Sequence, residues 1–262
     1  MDRPQPPSLT AVERASLALP LVGSAALGLP LYVFARPFAR VVDLRGDDAF
    51  IYNLAGAAML GYAVALAFGV RTGLWRRIRF VVLATYAFVV LAFFAGLVGF
   101  ISGATTGFVL LTTLWAVIVG WLLAQILVAR GRTPSEGRDV ATWVVVVLVL
   151  ATASAAVFGL APQVPGPFAA LMGYRGTDEY VYRLAGAACF GYAVMGVAEL
   201  RALRWDDMRL ANVAALIFNG LAFVAAGFEI LLGRTTPLAI IVALAAGFFT
   251  AAIAVILVRR GR

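Results

Sequence analysis

RGDDAFIYNLAGAAMLGYAV, residues 45–64, and RGTDEYVYRLAGAACFGYAV, residues 175–194, agree at 13 of 20 positions with a constant offset of 130. The likeness continues outward without a gap. Pro37-Phe38-Ala39 returns as Pro167-Phe168-Ala169, Arg71 and Trp75 as Arg201 and Trp205, and Thr105-Thr106 as Thr235-Thr236. Ser24-Ala25-Ala26 matches Ser154-Ala155-Ala156, and Arg130-Gly131-Arg132 matches Arg260-Gly261-Arg262. A fixed offset over nearly the whole chain is the mark of one structural unit written twice.

The unit is a membrane unit. Of 262 residues 63% are hydrophobic and only 13% charged, with a mean hydropathy of +0.96. A soluble domain is about half apolar and about a quarter charged. Apolar runs long enough to cross a hydrocarbon core of roughly 30 Å recur along the chain. They are continuous rather than alternating, which excludes a membrane β-barrel and leaves helices. The spans predicted are 12–35, 48–70, 79–101, 106–129, 139–161, 178–199, 208–231 and 236–258. The expected fold is therefore all-α, a polytopic bundle of eight transmembrane helices arranged as two parallel four-helix repeats. Each repeat has an even number of spans, so both enter the membrane the same way round. The expected divisions are a flexible cytoplasmic tail at 1–11, a first repeat at 12–132, a linker at 133–138 and a second repeat at 139–262.

The net charge of +8 comes from arginine alone, with no lysine or histidine. The arginines sit in short connections between apolar runs, which points to topology and anionic lipid rather than nucleic acid. Fifteen fall in the termini, the 71–79 and 201–209 loops and the 130–138 linker; the opposite connections hold Arg36, Arg40, Arg45, Arg175 and Arg234. That bias predicts cytoplasmic N- and C-termini in a multi-pass protein of a bacterial inner (plasma) membrane. Arginine paired with tryptophan at 75–77 and 204–205 reads as an interfacial anchor, and Asp206 with Asp207 as a solvated loop.

The repeated motif places Asp48, Tyr52, Met59 and Tyr62 on one face of the second span, and Asp178, Tyr182, Cys189 and Tyr192 on one face of the sixth. Gly56 and Gly61, with Gly186 and Gly191, give the neighbouring face small residues for close helix packing. Two readings stand side by side. In one, Asp48 and Asp178 are helix N-caps paired locally with Arg45 and Arg175, and the tyrosines hydrogen-bond across helices. In the other, carboxylates and phenols line a central cavity and bind a cation or polar solute. The candidate site is then Asp48, Tyr52, Tyr62, Asp178, Tyr182, Tyr192 and Asn219. Asn219 enters as the deepest polar side chain, with Val89 at its matching position. Glu179 with Arg183, four positions apart, and Glu229 with Arg234 are expected to form structural ion pairs. Met59 and Cys189, both soft donors, are expected to fill gaps.

No catalytic constellation, metal cluster or cofactor fingerprint is present in the sequence, and an enzyme is not expected. Cys189 is the only cysteine, so no intrachain disulfide forms. The four-span unit with Asn53-Leu-Ala-Gly-Ala-Ala58 and Arg183-Leu-Ala-Gly-Ala-Ala188 opening its second span resembles the DoxX-like four-helix membrane proteins of bacteria. That resemblance implies a four-helix unit and no specific activity. The expected function is binding or transport of a small solute or ion at the interface between the halves. The alternative is a non-catalytic structural or accessory subunit of a membrane complex. Membrane lipids and other membrane proteins are the expected partners, and nucleic acid is not one.

Overall fold

The structure is a computed structural model that describes residues 8–103, 106–131 and 139–260. Within them the chain forms α1 (Ala11–Val33), α2 (Ala35–Val41), α3 (Ala49–Thr72), α4 (Trp75–Ile101) and α5 (Gly107–Arg130). It continues with α6 (Thr142–Leu160), a 3-10 turn (Ala161–Gln163), α7 (Pro165–Met172), α8 (Glu179–Ala202), α9 (Trp205–Leu231) and α10 (Pro237–Arg260). All but α2 and α7 are long and apolar enough to cross a membrane, eight helices among the described residues. The protein is an all-α polytopic membrane bundle. The 133–138 linker and residues 1–7 of the tail lie outside the described residues.

Two helices start earlier than hydropathy suggests, α4 at Trp75 and α9 at Trp205. Their first turns carry charges, which lower the apolarity of the window, yet several of those charges are satisfied inside the protein. Asp207 is 1% exposed and meets Arg79 at 2.8 Å and Arg76 at 3.2 Å. Asp207 is thus a buried bridge from α9 to α4 and not part of a solvated loop; of the two aspartates only Asp206 is exposed. Trp75 and Trp205 are buried too, so they pack rather than anchor at an interface. Arg130 lies over the Trp75 ring at 5.8 Å and pairs with Glu13.

Residues 8–10, assigned to a flexible tail by sequence, are tied down. Leu9 is buried and its N–H donates to the Gly73 carbonyl at 2.7 Å, while Thr10 and Glu13 form a capping box at the start of α1. Such reciprocal capping satisfies two otherwise orphaned amides.

The fixed offset does not hold for every contact. Helix α1 starts at Ala11 and α6 at Thr142, and Gly28 and Gly159 occupy the same packing role one position beyond the offset. A methyl on Gly56 would meet the Gly28 carbonyl at 2.6 Å, and one on Gly186 would meet the Gly159 carbonyl at 2.7 Å. In lipid the helices gain nothing from excluding water, so this close backbone approach supplies packing that larger residues would forbid. The extra residue ahead of α6 is recovered where the 3-10 turn replaces the last turn of α1, which restores the offset by Phe34 and Val164, the N-caps of α2 and α7.

Helices α3 and α8 are central, with 61% and 72% of their most apolar stretches buried, against 28% for α1 and 22% for α6. Helix α3 packs on α1 and α9, and α8 packs on α6 and α4. The interior is therefore built from contacts that cross between the first half of the chain and the second. The outer faces present Leu111, Leu114, Trp121, Val157 and Leu244, a surface suited to lipid tails.

Candidate functional site

Asp48 and Asp178 stand at the N-caps of α3 and α8, yet neither carboxylate caps its own helix. Each is used by the opposite half. Asp48 accepts from the backbone N–H of Arg175 (3.2 Å) and Gly176 (2.8 Å) and from the Tyr182 hydroxyl (2.8 Å). Asp178 accepts from the N–H of Arg45 (3.0 Å) and Gly46 (2.7 Å) and from the Tyr52 hydroxyl (2.8 Å). Both aspartates are buried. Arg45 and Arg175 contribute through their backbone, and neither guanidinium forms an ion pair among the described residues.

The turn that presents these amides needs glycine. Gly46 has φ +70° and Gly176 φ +72°, a region costly for any residue with a Cβ. A Cβ there would also press on Ala39 at 2.8 Å or Ala169 at 2.9 Å. Two consecutive N–H groups then point at one carboxylate, a small anion-binding nest.

Deeper in the bundle the tyrosines close the joint. Tyr62 and Tyr192 stack at 4.6 Å between ring centroids, flanked by Phe88 and Phe218. The Tyr62 hydroxyl donates to the Ala188 carbonyl at 2.7 Å, and Tyr192 donates to Ala58 at 2.9 Å. Six of the seven candidate residues are thus brought together as cross-links between halves. The space between the halves is filled by rings.

The seventh, Asn219, lies elsewhere. Its amide donates to Ala215 on its own helix at 2.8 Å, not across helices, and it lines a cavity of about 120 Å³. That cavity is walled chiefly by α6, α8, α9 and α10, with Ile51 and Leu54 of α3 completing it, and runs lengthwise. Phe168, Tyr182 and Leu238 mark the end near the aspartates, and Glu199, Asn212 and Ile253 the other. Its walls are chiefly aliphatic and aromatic. Cys189 lines it, whereas Met59 is buried beside Gly28 of α1. The ion pairs expected locally are present, Glu179 with Arg183 at 2.7 Å and Glu229 with Arg234 at 3.3 Å.

Sequence reasoning missed Glu199 and Asn212. Glu199 is 3% exposed and accepts from Asn212 Nδ2 at 2.9 Å; Asn212 also donates to the Met208 carbonyl at 3.1 Å. A signal exists in the repeat. The matching positions of the first half are Gly69 and Val82, so both polar groups belong to the second half only. Glu199 lies at the edge of a predicted span, where a charge reads as a boundary.

A bulky residue also distinguishes the two bundles. Trp115 of α5 fills the corresponding space in the first half, against Gly23 and beside Phe88 at 6.3 Å. Its counterpart in the second half is Ala245, which lines the cavity. In the packing register of α1 and α6, Gly23 corresponds to Ser154, another lining residue. Comparison with protein-family models, with curated proteins and with solved structures finds no match.

Proposed function

We propose that this membrane protein binds a small, largely apolar solute inside the bundle of α6, α8, α9 and α10, held open by a rigid joint to the other half. The observation that carries the reading is the cavity of about 120 Å³ beside Ala245, in a chain whose matching position holds Trp115. Interior voids that serve no purpose cost stability, because their walls lose dispersion contacts. A cavity with apolar walls and a few converging polar groups is the usual form of a small-molecule site. In this reading the site lies beside the interface between the halves, since stacked Tyr62 and Tyr192 occupy the interface itself.

The same reading takes the chain as a tandem duplication of a four-span unit, with both termini in the cytoplasm of a bacterial inner membrane. The repeated motif supports the first part and the arginine bias the second. The likeness to DoxX-like proteins rests on the two Leu-Ala-Gly-Ala-Ala segments and adds no activity.

Native mass spectrometry of the protein released from nanodiscs tests the binding. The wild type is expected to carry a bound small molecule that the double variant Ser154→Gly/Ala245→Trp loses. Equal occupancy in both overturns the reading. For topology, cysteines placed at 45 and 175 in a Cys189→Ala background should both label from the non-cytoplasmic side.

The filled joint favours a second reading, a non-catalytic accessory subunit whose halves never move apart. Crosslinking in native membranes would then give one adduct of defined mass, while the cavity variant would retain full biological activity.

A further inference from the structure

We propose that the Glu199 end of the cavity recognises the head of a lipophilic monocation, an amine or quaternary ammonium on an alkyl or aryl body. The inference rests on the cavity reading above and names its ligand class. Glu199 lies on the membrane-spanning helix α8, is 3% exposed and lines the cavity. Its one hydrogen-bond donor is the neutral amide of Asn212, at 2.9 Å, and no arginine pairs with it among the described residues.

The other buried acids show what is missing. Asp207 has Arg79 and Arg76, Glu229 has Arg234, and Asp48 and Asp178 each have two backbone N–H groups and a phenol. Among the described buried acids, Glu199 alone has only one neutral donor. A carboxylate buried without a countercharge is costly, so buried charges are usually paired. A cation arriving in the cavity supplies the absent charge.

The walls fit the rest of such a ligand. Phe158, Phe218, Phe249 and Tyr192 line the same cavity, and aromatic faces attract organic cations as well as apolar bodies. An anion would face the carboxylate directly and is disfavoured. In the first half, Gly69 and Val82 replace the two polar residues and Trp115 packs into the corresponding space against Gly23.

The test uses the full chain in nanodiscs and three probes of one chain length: octyltrimethylammonium, octanol and octanoate. Ligand binding to the folded state raises the thermal midpoint. The cation is expected to stabilise the wild type, and the alcohol and the acid are not. Glu199→Gln, which keeps size and hydrogen bonding, should weaken the cation's effect by about tenfold or more. Ser154→Gly/Ala245→Trp should abolish it. If octanol stabilises the wild type and Glu199→Gln alike but not the filled variant, the cavity stands and the cation inference is overturned. If the cation acts equally on all three proteins, it is partitioning into lipid, and this inference fails. If Glu199→Gln loses the effect but the filled variant keeps it, the cation binds elsewhere and the cavity reading fails instead.

Discussion

The bundle of α1, α3, α4 and α5 and the bundle of α6, α8, α9 and α10 share their joint and differ inside. At the joint the match is residue for residue: Asp48 and Asp178, Gly46 and Gly176, Tyr52 and Tyr182, and Tyr62 and Tyr192 do the same work in both directions. Inside, Trp115 faces Gly23 in one bundle, and Ala245 and Ser154 leave a cavity in the other. Gly69 and Val82 in the first become Glu199 and Asn212 in the second. The difference teaches where the two halves are interchangeable. The joint keeps its chemistry in both because each half completes the other. Inside, the first bundle holds Trp115, and the second carries polar groups around a space that Ile51 and Leu54 of α3 help to line.

The strongest way to break this comparison is to unbalance the joint. Asp48→Ala and Asp178→Ala each leave two amides and a phenol without an acceptor. Each orphaned buried group costs about 1–3 kcal/mol, so each variant should lose at least about 3 kcal/mol in detergent unfolding. The two losses should agree within about 1 kcal/mol, the error usual for predicted stability changes; a large mismatch would show that the joint is not reciprocal.

Next comes Trp115→Ala, a variant that removes a half-buried indole from the first bundle. It should open a cavity there and cost about 3 kcal/mol, the low end for an aromatic truncation. A cost under about 1 kcal/mol, the level of an ordinary substitution, would mean that Trp115 does not fill that bundle. Gly46→Ala or Gly176→Ala forces a left-handed backbone on a residue with a Cβ and should cost about 1–2 kcal/mol, measured the same way. At the weak end is Glu179→Ala, which breaks an i,i+4 pair whose glutamate is half exposed. A change of about 0.3 kcal/mol is expected for such a pair. A loss several times larger would place Arg183 in the joint rather than at its rim.

The spans are legible because lipid imposes a simple demand: about 20 apolar residues whose backbone bonds close within the segment. The local ion pairs are legible for a similar reason, since side chains one helical turn apart are neighbours wherever the helix lies. Asp48 shows where such reasoning stops. Its place ahead of α3 reads as an N-cap, and only the position of Arg175 and Gly176 shows that the other half takes it. Trp75 and Asp207 look superficial beside arginines because sequence does not tell which loop charges pair inward. Glu199 and Asn212 lie on successive helices, and their meeting depends on how α8 leads into α9.

By itself the sequence determined eight spans, their small-residue seams and the recurrence of one motif at a fixed offset, all properties of short segments in contact with lipid. The tertiary structure decided which carboxylate serves which half, that tyrosine rings fill the joint, and that an open space remains beside Ala245. Those outcomes depend on the distance between helices remote in the chain. That distance is set by the joint packing of every side chain between them, which no local pattern records.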